Sequence, residues 1–296
     1  MVQGIELIFS TLQDINLKRC RVLTAQQRTL QQSIIRALGV QAHIDPAAEQ
    51  QRREQFIIRY LQQSGARALV LGVSGGVDSL VVGYMAQRAV EAVRAEGGQA
   101  HFLALRLPYG QQQDEQDAVA ALECIRPDEV RTLDMQPATD ALVAQLEQGG
   151  VALPQAERDF IIGNIKARQR MVSQYACAAA VGGLVLGSDH AAEALMGYFT
   201  KYGDGAADLM PLAGLTKGQV RTLAEHYGAP EHLVHKVPTA DLESGRPLLP
   251  DEQAFGISYE NIEAFLCGQS VAPEVFDIIM QHYHSSAHKR QLPAHP

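Results

Sequence analysis

Between residues 46 and 190 the apolar positions alternate between two rhythms. Phe56, Ile57, Tyr60 and Leu61 recur at helical spacing within a helix predicted over about 46–63. Residues 68–73 then form an unbroken apolar run, as expected of a strand buried on both faces. A helix is predicted over 80–95 and a second strand over 102–107, which Pro108-Tyr109-Gly110 breaks. Residues 114–125 predict a helix with acid in its first turn, where the helix dipole favours it. A strand over 130–133, helices near 138–148 and 154–180, and a strand over 184–187 complete the series. Short strands alternating with helices predict an α/β fold: a Rossmann-like parallel sheet with helices on both faces. Ligands of such sheets bind beyond the carboxyl ends of the strands.

The rhythm differs at both ends of the chain. Residues 26–38 predict a helix that Gly39 can end. Thr216 can cap a helix ending at Gly228, and prolines 230, 238, 247 and 250 then punctuate a long loop. Helices near 258–266 and 272–287 follow. This organisation predicts one domain over 49–296 with a helical C-terminal part, preceded by an N-terminal extension and helical arm over 1–48.

Composition narrows the function class. A chain of 296 residues with 46% apolar and 20% charged residues is an ordinary globular protein. Its net charge of -8 disfavours nucleic acid as the main partner, because phosphate backbones need a basic surface. No apolar run approaches the roughly 20 residues that span a bilayer. No basic stretch leads into an apolar segment with a cleavage site, so a cytoplasmic protein is expected, with no membrane partner. Cys20, Cys124, Cys177 and Cys267 are widely spaced, which predicts reduced, mostly buried thiols rather than a zinc site or disulfide framework.

The first chemical signal is Ser74-Gly75-Gly76-Val77-Asp78-Ser79, between a predicted strand and helix. Gly75 and Gly76 let the backbone approach an anion closely. Ser74 and Ser79 add hydroxyls, and the free N–H groups of the helix start point to the same place. The string has neither the Gly-Lys-Ser/Thr ending of a Walker loop nor a G-x-G-x-x-G fingerprint. Asp78 would repel bound phosphates unless a divalent cation stood between them, which suits Mg²⁺ and ATP. The second signal follows the fourth predicted strand, as Gly187-Ser188-Asp189-His190-Ala191-Ala192-Glu193 and then Gly197-Tyr198-Phe199-Thr200-Lys201-Tyr202-Gly203-Asp204-Gly205. Glu193 can complete a metal shell with Asp78, and Lys201, Asp204 and Asp208 crowd nearby.

The S-G-G-x-D-S loop resembles that of the ATP pyrophosphatase superfamily, which includes NAD, GMP, asparagine and argininosuccinate synthetases and several tRNA-modifying enzymes. The 187–205 segment is similar to the G-T-D-H-A-A-E and G-F-F-T-K-Y-G-D-G pattern of bacterial ammonia-dependent NAD synthetases. Arg106-Leu107-Pro108-Tyr109-Gly110, Pro238-Thr239-Ala240-Asp241-Leu242, Pro250-Asp251-Glu252 and His288-Lys289-Arg290 agree, so the resemblance spans roughly residues 29–290. It implies an adenine nucleotide α-hydrolase-like fold and a ligase that amidates deamido-NAD with ammonia. ATP would activate the nicotinate carboxylate as an adenylate, releasing pyrophosphate and then AMP.

The resemblance also implies the site residues. Gly72, Val73, Ser74, Gly75, Gly76, Val77, Asp78, Ser79, Arg106, Gln112, Ser188, Lys217 and Thr239 would hold ATP, with Asp78 and Glu193 on Mg²⁺. Arg168, Lys201, Asp208, His288 and Lys289 would contact deamido-NAD, and Asp204 would bind or deprotonate ammonium. A homodimer is implied, with the dinucleotide site across the interface and the 154–180 helix as a candidate interface. The sequence departs from the pattern at Val77, Ser188, Ala206-Ala207 and Met210, and in its shorter tail. Two alternatives remain: another adenylating enzyme with the same loop, or a non-catalytic nucleotide-binding relative. The acidic charge and lack of a cysteine pair disfavour tRNA thiolation.

Overall fold

The computed structural model describes residues 23–112, 115–240 and 249–295. The segment around Cys20, Asp114, Asp241, Leu242 and Pro247 lie outside the described residues. Strands β1 (Ala68–Gly72), β2 (His101–Arg106), β3 (Glu129–Thr132) and β4 (Gly183–Leu186) form one parallel sheet in the order β3-β2-β1-β4. The chain therefore builds outward from β1 through β2 to β3. It then crosses back to place β4 on the other side of β1. That reversal of strand order opens a crevice between the carboxyl ends of β1 and β4, where doubly wound sheets hold ligands.

Strand alternation divides the core. Leu69, Leu71, Phe102, Ala104 and Leu186 point to one face. There they pack against Ile57 and Leu61 of α2 (Pro46–Ser64), Leu80 and Met85 of α3 (Val77–Ala95) and Leu223 of α8 (Lys217–His226). Val70, Leu103, Leu105 and Val185 point to the other face, against Ala178 of α6 (Arg158–Val181). Both faces are covered, which is why the strands read as continuous apolar runs rather than alternating ones. Helices α4 (Glu115–Ile125) and α5 (Gln136–Gln148) connect the outer strands.

A second core gathers elements distant in sequence. Ile34 of α1 (Ala25–Ala37), Leu195 of α7 (Ala191–Met196), Phe265 of α11 (Tyr259–Leu266) and Ile279 of α12 (Pro273–Ser285) pack together. Thr24 caps α1 through a reciprocal pair with Gln27. The buried Gln31 amide donates to the Phe265 and Gln269 carbonyls, both at 2.9 Å. The stretch from Leu23 to residue 48 is thus packed onto the C-terminal helices. The remaining elements are α9 (Glu231–Val234), the short hairpin β5 (Thr239–Ala240) and β6 (Leu249–Pro250), α10 (Asp251–Phe255), and a 3₁₀ turn over Ala287–Arg290.

Three readings change. Helix α3 starts at Val77, not residue 80, because Gly76 occupies the N-cap and Val77 is buried in the core. Residues 191–196, for which the sequence pattern predicts no element, are helical: the His190 N–H donates to the Glu193 carboxylate at 3.2 Å and closes the first turn. Cys124, Cys177 and Cys267 are free but half-buried rather than buried. Among the described residues no helix is long and apolar enough to cross a membrane.

Candidate active site

The phosphate-type loop leaves β1 at its carboxyl end. Gly75 has φ +86, and a Cβ there would lie 2.7 Å from the Ala118 amide nitrogen of α4. Glycine thus serves both the left-handed turn and the close approach of α4. The hydroxyls expected to serve an anion brace the loop itself. Ser79 Oγ accepts from the Ser74 N–H at 3.2 Å, Ser74 Oγ accepts from the Gly76 N–H at 3.2 Å, and Ser79 Oγ lies 3.1 Å from the Gly76 carbonyl oxygen as its donor. The Gly72 N–H donates to the Gln174 amide oxygen at 3.1 Å, tying the loop's origin to α6. Asp78 lies in the first turn of α3, beside free helical N–H groups.

The end of β4 brings the second set. Asp78, His190 and Glu193 each place one ligand atom within 4.8 Å of the others. His190 Nε2 is 3.6 Å from Asp78 Oδ1 and 3.7 Å from Glu193 Oε2. Lys217 Nζ is 2.6 Å from Asp78 Oδ2, although a lysine at the start of a helix is ordinarily exposed. It is buried instead, because Thr216 caps α8 and turns its first residue inward.

Burial and mutual repulsion set the charges. Burial alone would raise the Asp78 carboxyl, but Lys217 beside it outweighs burial and holds it below the usual range. Burial pushes Glu193 well above its ordinary value, and the Asp78 and Asp189 charges add to this. Asp189 is likewise raised well above its ordinary value by burial and then by Asp204 and Asp78. Burial also raises Asp204, whose Oδ1 accepts from the Thr200 N–H at 2.9 Å. Burial lowers His190 to about 3, so its imidazole is neutral. Buried carboxyls that disfavour one another's charge form a site that gains by taking up a cation. Oxygen-rich donors beside a phosphate-type loop fit Mg²⁺.

These residues line one cavity of ≈ 480 Å³ above the β1–β4 crevice. Gly72, Val73, Ser74, Gly76, Val77, Asp78, Ser79, Gln112, Ser188, Glu193, Asp204, Lys217, Thr239 and Lys289 all face it. Six residues assigned from sequence do not line it, among them Gly75, whose backbone is packed against α4. Arg106 is buried beneath, its guanidinium paired with Glu115 and 3.4 Å from the Gln112 side-chain oxygen. Asp208 accepts from the Val185 N–H at 2.7 Å and so fastens β4. Arg168 donates to the Lys201 carbonyl, at 3.2 Å for its Nη2, and lines a separate groove with Phe160 and Val151. Lys201 and the exposed His288 also lie off the main cavity. Lys289 Nζ donates to the Gly197 and Phe199 carbonyls, each at 2.8 Å, holding the loop that carries Asp204.

Sequence reasoning gave no role to several polar cavity residues, among them Asp189, Gln174, Arg170 and Asp251. It also missed the buried His190 behind them. His190 and Glu193 are three apart at a helix start, a spacing that could have marked them as a pair. Asp251 follows Pro250 at the first position of α10, also a readable helix start.

The model of the family described as NAD synthase matches residues 49–293. The chain belongs to the NAD synthase family. It is 51% identical over 271 residues to a curated protein of Burkholderia cenocepacia called NH(3)-dependent NAD(+) synthetase, covering 91% of this chain and 96% of that protein. The crystal structure of the NAD+ synthetase from Burkholderia pseudomallei superposes with a TM-score of 0.78 at 50% identity, covering 90% of this chain and 98% of that one. A structure called NMN synthetase, from Francisella tularensis, is 34% identical with a TM-score of 0.75, covering 86% of this chain and 99% of that one. The family membership agrees with the resemblance drawn from the loop and the 187–205 segment.

Proposed function

We propose that this NAD synthase family member uses ATP and ammonia to amidate deamido-NAD, giving NAD, AMP and pyrophosphate. The observation that carries the reading is the meeting of Asp78 and Glu193 at the crevice, in the first turns of the helices that follow β1 and β4. A carboxylate is a poor acyl donor, and adenylation gives it a leaving group. The nicotinate oxygen attacks the α-phosphorus of ATP while the bond to the pyrophosphate oxygen breaks. Ammonia then attacks the activated carbonyl, and AMP leaves with the former carboxylate oxygen.

The chain's own residues divide this work. The 72–79 backbone and the start of α3 cradle phosphates, and Lys217 supplies a positive charge where pyrophosphate departs. Gln112, Ser188 and Thr239 frame the nucleotide. Asp78 and Glu193 would hold Mg²⁺, which supplies charge neutralisation for the triphosphate when bound. A cation there would also offset the burial that pushes Glu193 above its ordinary value. Asp204 serves ammonium, which must lose a proton before it can attack. Its raised affinity for protons suits acceptance of one.

A homodimer accounts for the residues that lie off the cavity. Helix α6 exposes Phe160 and Val172 at 63% and 53%, and Arg168 shares a groove with Phe160. Pairing two copies through α6 would bring Arg168, with Lys201 and His288, toward deamido-NAD, while Asp208 keeps its place on β4. Arg106 then acts from beneath, by fixing Gln112.

The Francisella relative favours a second reading, in which the acceptor is the corresponding mononucleotide and the product NMN. Purified protein with ATP, Mg²⁺, ammonium and either acceptor separates them. Preferred turnover of deamido-NAD, with AMP and pyrophosphate formed in step with NAD, supports the first reading. Preference for the mononucleotide supports the second, and ADP in place of AMP counts against both.

A further inference from the structure

Lys217 is 3% exposed in its side chain and sits among carboxylates. Its Nζ is 2.6 Å from Asp78 Oδ2, and the charges of Glu193 and Asp251 also act on it. The same Nζ lies 5.6 Å from the centre of the Tyr259 ring, whose hydroxyl donates to Asp251 Oδ2 at 2.8 Å. Asp251 is 5% exposed and lines the cavity, and its Oδ1 has no hydrogen-bond partner. A buried carboxylate oxygen without a donor is costly, and this one lies on the side of the site where Lys217 already is.

Asp78 faces conflicting demands. An ammonium on one oxygen and a divalent cation on the other would stand only a few ångströms apart, within strong mutual repulsion. The ammonium therefore has reason to leave when the cation arrives, and Asp251 offers it a buried carboxyl whose Oδ1 has no close donor, with the Tyr198 hydroxyl also acting on the group. We propose that Lys217 is an exchangeable counter-ion, which neutralises Asp78 in the free protein and moves to Asp251 when a divalent cation takes its place. The inference rests on the Asp78–Glu193 metal site of the reading above and gives Asp251 a role as its positioning residue. From Asp251 the ammonium still faces the cavity, available to phosphates. The free protein resists bare divalent cations for the same reason.

Mn²⁺ binding to the full chain without nucleotide, followed by the paramagnetic resonance of free Mn²⁺, tests this directly. Lys217→Met removes the competitor and is expected to tighten Mn²⁺ binding about tenfold. Asp251→Asn removes the second seat and is expected to weaken it about tenfold. A merely structural role for either residue would weaken binding in both. If Asp251→Asn binds Mn²⁺ as the wild type does, or Lys217→Met binds it no more tightly, the exchange is overturned. Should Lys217→Met not fold, Lys217→Gln removes the same charge with a polar side chain and takes its place in the test. Asp78→Asn separates the two levels of the argument. Loss of Mn²⁺ in that variant keeps the metal site even where the exchange fails, whereas unchanged binding removes the metal site and the exchange together.

Discussion

Gly75→Ala concentrates its effect on the phosphate loop. The residue has φ +86, and left-handed backbone costs an alanine about 1–2 kcal/mol. Steric conflict adds to this. The new Cβ would stand 2.7 Å from the Ala118 amide nitrogen and 2.9 Å from its Cα. Those atoms belong to helix backbone and cannot rotate away. Restoring ordinary contact requires the loop and α4 to part by roughly 1 Å. A misplacement of about 1 Å at a reacting group costs on the order of 10²-fold in rate. The expected result is a folded protein with slightly lowered stability and kcat/KM for ATP reduced on the order of 10²-fold. Urea unfolding followed by circular dichroism, with pyrophosphate release as the activity assay, gives both numbers. Activity within twofold of wild type would mean that the loop does not position the phosphates.

Other expectations test separate parts of the account. Asp204→Asn should sharply reduce ammonia-dependent turnover while leaving ATP binding in place; undiminished turnover at limiting ammonium would remove Asp204 from the ammonia step. Phe265→Ala, at a fully buried position joining α11 to α12, should cost about 3–5 kcal/mol in urea unfolding, and a loss under 1 kcal/mol would contradict the packing described. Asp128 tests a charge away from the site. Burial alone would raise it, but bonds from Arg94 and the Phe102 N–H outweigh burial and hold it below 3.8. A carboxyl depressed in the folded state contributes stability above its unfolded pKa and loses it as pH falls through the folded value. Asp128→Asn should therefore destabilise by about 1 kcal/mol at pH 7, with the gap narrowing as pH falls below about 4; a gap that does not narrow with falling pH would point to a steric cause.

Much of the architecture was legible because its signals are local. The apolar run 68–73 has no polar face to solvate, so it predicted a strand buried on both sides, and the strand predicted over 102–107 is apolar but for Arg106; both formed. Gly39 and Gly228 adopt the left-handed turns expected at helix ends. The phosphate loop was readable because a strand, glycines and a helix start are contiguous in sequence. The short helix α7 was not, since the charged residues around it mask its apolar Ala191, Ala192 and Leu195.

The site divides along the same line. Asp78 and Glu193 were found because each follows a strand. The consequences of their meeting were not, because they depend on neighbours distant in sequence. Lys217 pairs with Asp78 across 139 residues. Asp251 enters through a hairpin and a short helix that no periodicity marks. Arg106 and Asp208 matched the family pattern, yet their side chains serve Gln112 and β4, since a matching letter fixes position and not direction.

The adenylate is the central claim, and oxygen tracing reaches it most directly. Deamido-NAD labelled with ¹⁸O in its nicotinate carboxylate is turned over with unlabelled ATP, Mg²⁺ and ammonium, and the phosphate products are weighed by mass spectrometry. If the carboxylate attacks the α-phosphorus, AMP gains one ¹⁸O and pyrophosphate gains none. Unlabelled AMP, or label in pyrophosphate or inorganic phosphate, would contradict the account.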